Sequence, residues 1–412
     1  MTGYLEGVGI KIPPHLAKKV NKMRVLLLCR HPFHKTSGGV VEFLHYLPMA
    51  LSRLGIETVM YDMGNEADHA LAGPLRLPNG MPAYSGPLIK PGFWVSRRKL
   101  APLADLCRLE KIDLVHAQGT YRSGFAAWQL FRQTGQPYMV MSHGDIAAAN
   151  SDRMKRGSVQ RRCREILRHA VAVSHLTPMM AAASHQMFDT RDKSVVIANG
   201  IDLASWRQSP ARTEQNYVLG MGRLQREKGF HVLIDTYAEL CRRGVKTSLV
   251  IAGDGAEAAN LQAQVERLGL TLVTGHQDMA AIPAQSVVFT GYVKGDQKQA
   301  LVAGSRLILF PTQPSQWEEP FGIVQIEAMA AGKVLVASDS MTTRYLQTLG
   351  LQARLAEPDN PVAWADQIMP LLGAADERET LGRINLANVQ QFDWDVIAKQ
   401  YRDLYLRYPL SR

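Results

Sequence analysis

The chain has 412 residues, 46% of them apolar and 20% charged, which is ordinary for a folded protein and excludes a disordered or fibrous one. Lys and Arg outnumber Asp and Glu by 47 to 37, and this formal +10 points to an acidic partner (nucleotide phosphates, nucleic acid or an anionic membrane) without choosing among them. Four scattered cysteines, Cys29, Cys107, Cys163 and Cys241, form no CxxC pair, so neither a disulfide framework nor a zinc site is expected and a reducing compartment fits.

Met1 to Asn21 carries Lys11, Lys18 and Lys19 but no apolar stretch, and no run of about 18 apolar residues occurs, so neither a leader nor a span is expected and the chain reads as cytoplasmic. The first strand signal is Val25 to Cys29, a short apolar run of the kind buried in parallel sheets. A polar loop, Arg30 to Ser37, leads to Gly38-Gly39 and a helical pattern on Val40, Phe43, Leu44, Leu47 and Leu51. Strand signals recur at Glu57 to Tyr61, Leu114 to His116, Tyr138 to Ser142, Ala170 to Ser174 and Val195 to Ala198. Helix-like stretches separate them, which is the βαβ alternation of a doubly wound sheet.

A polar segment from Ser205 to Asn216, with Pro210 inside it, reads as an interdomain linker. The alternation restarts at Tyr217 to Gly220, with strands expected at Ser248 to Ala252, Val287 to Thr290, Arg306 to Phe310 and Val334 to Ser338. Two tandem α/β domains explain the length better than one oversized sheet. The expected division is 1–206, 207–390 and a terminal stretch 391–412 whose helix, Trp394 to Tyr408, packs back on the first domain.

Chemistry concentrates in Glu319-Pro320-Phe321-Gly322-Ile323-Val324-Gln325-Ile326-Glu327-Ala328-Met329-Ala330, where two carboxylates stand eight positions apart across a Pro-Phe-Gly turn. A helix starting near Gly322 would aim free N–H groups and its positive end where Glu319 faces, a site suited to sugar hydroxyls beside a phosphate. A capped helix with two solvated glutamates is the plainer alternative. Arg223 and Lys228, in Gly222-Arg223-Leu224-Gln225-Arg226-Glu227-Lys228-Gly229, follow the first strand of the second domain at the carboxyl end of its sheet. A guanidinium fork with a point-charge ammonium suits a diphosphate.

These segments together resemble the signature of the retaining GT-B glycosyltransferases of the group 1 type, and the resemblance covers roughly residues 24 to 402. It implies two Rossmann-like doubly wound domains facing a central cleft and transfer of a hexose, of glucose or mannose type, from a nucleoside diphosphate sugar with retention. The sugar nucleotide would be the co-substrate, with no resident cofactor and no metal. By this resemblance Glu319 binds sugar hydroxyls, Glu327 the donor ribose, Arg223 and Lys228 the diphosphate, and His143, in Met141-Ser142-His143-Gly144-Asp145, the sugar from the opposite domain. Phe321, Gly322, Ile323 and Val324 join the donor site through the same motif. Gly253, in the strand-end turn Gly253-Asp254-Gly255, would border the nucleotide and Tyr292, after Phe289-Thr290-Gly291, its base.

The Gly38-Gly39 loop matches a family loop facing the cleft and could present backbone N–H groups to a phosphate or sugar oxygen, or simply be a tight turn. Asn199-Gly200-Ile201-Asp202 resembles a family turn that closes the first domain, a structural role. One departure stands out: where the family commonly has a Gly-Gly turn and a further Glu, this chain reads Asp339 to Arg344. That difference bears on the pocket rim and the sugar accepted. The family extends lipid-linked glycans of bacterial surface polysaccharides, lipopolysaccharide and exopolysaccharide among them, so a glycan or polyprenyl-linked acceptor is expected.

Two other functions share these features. A catalytically idle nucleotide-sugar binder would carry the same motifs, and an NAD-dependent dehydrogenase the same architecture, though no intact G-x-G-x-x-G opens either domain. No nucleic-acid-binding module is recognisable. His31 and His34 lack a suitably spaced carboxylate or cysteine, so no metal site is expected there.

The charge divides unevenly. Residues 1–206 hold 26 Lys and Arg against 15 Asp and Glu, a net +11, whereas 207–412 hold 21 against 22, a net −1. The basic positions gather at Lys18, Lys19 and Lys22, at Arg97-Arg98-Lys99 after Phe93-Trp94, and from Arg153 to Arg168. An aromatic pair beside a basic run suits the inner membrane leaflet, so peripheral docking of the first domain on anionic lipid is the expectation, with a merely solvated basic face as the alternative.

Overall fold

The computed structural model describes residues 23–30, 39–65, 72–92, 95–144, 154–208, 214–275, 278 and 281–408. Two sheets follow one another along the chain. The first contains β1 (Arg24–Cys29), β2 (Glu57–Asn65), β3 (Ala72–Arg76), β4 (Pro82–Pro87), β5 (Leu114–Gln118), β6 (Tyr138–Ser142), β7 (Val173–His175) and β8 (Ser194–Val196), in the order β3-β4-β2-β1-β5-β6-β7-β8. All neighbours are parallel except β3, which runs antiparallel to β4 at the edge.

The second sheet holds β9 (Tyr217–Met221), β10 (Ser248–Ala252), β11 (Leu272–Thr274), β12 (Val287–Gly291), β13 (Leu307–Phe310), β14 (Leu335–Ser338) and β15 (Ala353–Ala356). Its order is β11-β12-β10-β9-β13-β14-β15, parallel throughout. The tandem doubly wound architecture expected from the strand rhythm is therefore observed.

Both faces of each sheet are covered, which is why the strands read as unbroken apolar runs. Val25, Leu27 and Cys29 pack into one apolar cluster while Leu26 and Leu28 pack into another, the two-residue period of a strand buried on both sides. Along β9, Tyr217, Leu219 and Met221 join one cluster and Val218 another. One of these clusters is common to both halves, running through Leu27, Phe43, Tyr401, Trp394, Phe392 and Phe321 to Leu219.

The connection departs from a plain polar linker. Ser205 lies inside a short helix, Leu203–Gln208, because Leu203 and Trp206 find apolar cover and the Ser205 hydroxyl accepts a bond from Gln299 Nε2 at 3.0 Å. Residues 209–213 lie outside the described residues. Strand β7 begins three positions later than expected, since the Ala170 N–H still caps the helix Gly157–His169. The edge strands β3, β11 and β15, and β4 beside β3, gave no sequence signal.

The chain returns to the first domain through Val389–Phe392 and the helix Trp394–Tyr405. There the Ile201 N–H donates to Phe392 O at 2.8 Å and the Trp394 N–H to Ile201 O at 3.2 Å, so the two crossing segments lie side by side. Gly200 does not supply a left-handed turn; a Cβ there would run into the Trp394 indole, so glycine makes room for the crossing. The terminal helix lies against the helix Gly39–Arg53, with Arg53 Nε bonded to Asp395 Oδ1 at 2.9 Å.

Candidate functional site

Strand order reverses around the first strand of each sheet: β2 and β5 flank β1, and β10 and β13 flank β9. Ligands of open α/β sheets settle outside the carboxyl ends of the strands at such a reversal. The loops leaving these ends meet across the cleft. A Cβ on Gly144, just past β6, would lie 2.5 Å from Pro320 Cγ, and one on Gly39 would lie 3.0 Å from Ile323 Cδ1. Glycine is what allows His143 to come up beside the Glu319 segment.

In the second domain Lys228 Nζ forms an ion pair with Glu319 Oε2, joining residues 91 positions apart. Both side chains are about 15% exposed, so the pair is largely shielded from water. The loop that carries Arg223 and Lys228 is fixed by backbone bonds to the next strand end: Gly222 N–H to Ala252 O at 3.0 Å, Leu224 N–H to Asp254 O at 2.9 Å and Glu257 N–H to Leu224 O at 3.0 Å. Gly253 is required by this stitching, because a Cβ there would strike Gly222 O. Arg223 itself is exposed.

Gly322, at φ +70°, caps the helix Ile323–Ala330 in a left-handed conformation that turns the chain from the strand end into the helix. Ile323 and Val324 are half-buried at its first turn, where the N–H groups are unpaired within the helix. Phe321 points its ring into the core against Phe392, at 6.0 Å, and is 2% exposed, so it anchors the turn and offers the cleft only backbone. Asp339 to Arg344, the segment that departs from the family pattern, supports Glu319 from beneath. The Thr342 hydroxyl donates to Glu319 O at 2.5 Å and the Thr342 N–H to Glu318 Oε1 at 3.0 Å, while Asp339 pairs with Arg344 at 2.5 Å. Burial pushes the Glu318 carboxyl up from its ordinary range, opposed by its bonds from Thr342.

Glu327 is nearly buried and its carboxylate pairs with Lys298, on the helix Gly295–Gly304. Lys298 also reaches Glu42 of the first domain at 3.4 Å, so one ammonium ties the motif glutamate to the opposite wall. Burial alone would lower the Lys298 pKa; the Glu327 and Glu42 carboxylates overcome it and hold the ammonium charged. Burial raises the Glu42 carboxyl, with Lys298 opposing.

The first-domain wall is neutral. His143 Nε2 lies 2.8 Å from Gln118 Oε1. Phe43 meets the ring edge-on at 5.4 Å. Desolvation lowers the imidazole to about 4, so it is uncharged at neutral pH. His116 beneath it is fully buried, lowered to about 3 by desolvation and then by His143, and its Nδ1 is 2.8 Å from the Tyr405 hydroxyl.

Glu319, Lys228, Gly322, Ile323, Val324, His143 and Gly39 thus converge on the cleft. Tyr292 is 60% exposed just past β12, and Gly253 lies against Gly222 at the end of β10. Gly38, His31, His34, Phe93, Trp94, Arg153, Lys18, Lys19 and Lys22 lie outside the described residues. Among the described residues no group of three or more His, Cys, Asp and Glu is placed to hold a metal ion, and no helix is long and apolar enough to cross a membrane. Sequence reasoning missed Lys298, Glu42 and Gln118. Only Gln118 carried a signal, a polar residue ending a strand at the sheet's reversal.

Residues 204–385 match the family of glycosyl transferases group 1, and residues 38–200 match a glycosyl transferase 4-like domain. The D-inositol 3-phosphate glycosyltransferase of Paenarthrobacter aurescens is 25% identical over 413 residues, covering 89% of this chain and 93% of that protein. The phosphatidyl-myo-inositol mannosyltransferase of Mycobacterium tuberculosis is 30% identical over 247 residues, 58% of this chain and 60% of its own length. Among solved structures, sucrose-phosphate synthase from Thermosynechococcus elongatus superposes with a TM-score of 0.71 at 21% identity, over 94% of this chain and 99% of that one. Anabaena Alr3699/HepE in complex with UDP and glucose does so with a TM-score of 0.71 at 19% identity, over 93% and 99%. These likenesses establish a shared fold.

Proposed function

The chain belongs to the group 1 glycosyl transferases and has their GT-B fold, and from that premise we propose that it moves a hexose from a nucleoside diphosphate sugar to an acceptor hydroxyl with retention of configuration. The observation that carries this reading is the convergence of Lys228, Glu319 and the start of the helix Ile323–Ala330 at one strand-order reversal, with His143 facing them. The solved relative that holds UDP and glucose supports a nucleotide-sugar donor of this kind.

Breaking the bond between the sugar C1 and its phosphate oxygen leaves positive charge on the sugar ring and negative charge on the departing diphosphate. Lys228, Arg223 and the N–H groups of Ile323 and Val324 would stabilise that negative charge, preorganised and partly shielded from water. Glu319, held by Lys228 below and by Thr342 behind, would accept sugar hydroxyls, and Glu327 those of the donor ribose. Among the described residues no side chain stands out as a base for the acceptor, which fits a front-face reaction in which a donor phosphate oxygen takes the acceptor proton. With two cations at the diphosphate the reaction needs no metal, and activity should survive chelation.

Lys228→Ala and Glu319→Ala should each purify folded and lose about a hundredfold or more of turnover with labelled sugar nucleotides. Full activity in either variant sinks the assignment, and donor binding without transfer by the unaltered protein would make it an idle binder.

The acceptor we propose is a lipid-linked glycan of a bacterial surface polysaccharide, reached by docking the first domain on anionic membrane. The helix Gly157–His169 buries Val159, Cys163, Ile166 and Leu167 and turns Arg161, Arg164 and Arg168 outward. Arg97, Arg98 and Lys99 are exposed in the first turn of the helix Arg97–Leu109, where the helix dipole disfavours cations by about 0.3–1 kcal/mol, so local stability does not account for them. The helix Ser123–Thr134 touches both, placing the two basic clusters on one side of the sheet. Flotation with anionic but not neutral liposomes is expected, and equal recovery with both overturns the docking.

A further inference from the structure

We infer that Gln118 is the positioning residue of His143: its side-chain oxygen accepts the Nε2–H of the imidazole and so leaves the Nδ1 lone pair as what the ring offers to a sugar in the cleft. The inference rests on the donor-site reading above for the sugar, and on hydrogen-bond accounting for the ring.

Gln118 is the last residue of β5 and is 8% exposed, so its amide cannot turn out to water. Its Nε2 lies 3.3 Å from the backbone oxygen of His116. A carbonyl oxygen only accepts, so the NH2 end of the amide belongs on that side and Oε1 belongs on the side of His143. Oε1 is 2.8 Å from His143 Nε2 and also only accepts. The ring nitrogen facing it must therefore carry a proton.

A neutral imidazole has one such proton, and burial keeps this ring neutral, so Nδ1 is left with a lone pair. Phe43, edge-on at 84°, buttresses the ring plane. The oxygen that orients Gln118 is itself held, since His116 is bonded through Nδ1 to Tyr405 of the terminal helix. The consequence is selective. A ring that presents an acceptor favours a hydroxyl donated to it and disfavours a carboxylate, which brings only further acceptors.

Nitrogen-15 histidine NMR of the full chain reads the tautomer directly, without turnover. The expected spectrum has His143 protonated at Nε2 at neutral pH. Gln118→Leu should lose that single tautomer and raise the donor KM about tenfold, the order seen when a group orienting a histidine is removed, with kcat falling less. Gln118→Glu keeps an acceptor against Nε2 but sets a second acceptor against His116 O and a negative charge beside the ring, so it should favour the doubly protonated imidazolium, lose the Nδ1 lone pair and leave the KM raised. Thermal midpoints of the two variants separate this from misfolding. A wild-type ring protonated at Nδ1, or a Gln118→Leu variant that keeps both tautomer and KM, overturns the assignment. An Nε2-protonated ring in a protein that turns over no sugar nucleotide upholds the role of Gln118 and rejects the donor-site reading.

Discussion

The two walls of the cleft are built from opposite materials. The second-domain wall is ionic: Lys228 with Glu319, Lys298 with Glu327. The first-domain wall is neutral: His143 and His116 are kept uncharged by burial and packed against the Phe43 ring. In the proposed reaction the ionic wall would hold the diphosphate and, through Glu319, sugar hydroxyls, while the neutral wall would add an oriented, uncharged contact to the sugar. The difference also means that charge chemistry and orientation are carried by separate halves of the chain, and that Glu42, reaching Lys298 from the neutral side, is the one described ion pair through which the cleft walls meet in the site.

The sharpest way to break this contrast is on the ionic wall. Loss of Lys228 or Glu319 should cost the hundredfold or more given above, whereas His143→Ala, removing an orienting contact, should cost about tenfold in kcat/KM; comparable losses at both walls would erase the distinction. Next in size is Lys298→Met. It leaves Glu327 buried without its cation and should destabilise the protein by about 3–5 kcal/mol in denaturant unfolding, while Lys298→Met combined with Glu327→Gln should recover much of that.

The neutral wall is tested by acid. His116, His143 and His175 stay unprotonated to about 3, 4 and 4 in the folded protein, whereas the unfolded chain takes up those protons near 6.5. Unfolded chains then bind more protons, so stability present above pH 6.5 is lost as pH falls toward 4, and the thermal midpoint should drop across that window. Glu42 and Glu318, whose carboxyls burial raises, act in the opposite sense at its acid end. A flat midpoint between pH 6.5 and 5 would show that the rings are open to water. The smallest effect is expected from Glu42→Gln, a two- to threefold change in donor KM, because Glu42 makes the longer of the two Lys298 ion pairs, at 3.4 Å, and Glu327 keeps the ammonium paired without it.

The architecture was legible because buried parallel strands announce themselves: Val25 to Cys29 and Tyr217 to Gly220 have no polar position to confuse their period. The edge strands β3, β11 and β15 were not. Ala72–Arg76 contains a glycine and a proline, and its exposed face includes Leu75, so neither composition nor alternation marks it. At the site, Glu319, Lys228 and Gly322 could be read because they sit in contiguous motifs. Lys298 and Glu42 could not, since each lies on a helix whose local pattern is complete without it. Their meaning comes only from a contact between elements 256 positions apart. The sequence also misassigned the reason for Gly200, where space under an indole rather than a turn conformation is what glycine provides.

The paired crossing at Ile201 and Asp393 has a consequence for how the protein can be made. The first domain is discontinuous: Tyr401 and Tyr405 cover His116 and Phe43, and they are translated only after the whole second sheet. During synthesis the leading half must wait, with its apolar face uncovered, until the trailing half has been translated, a period in which it is a natural client for chaperones. Expressed alone, residues 1–206 should aggregate, and the terminal helix supplied in trans or grafted after the first half by circular permutation should rescue them.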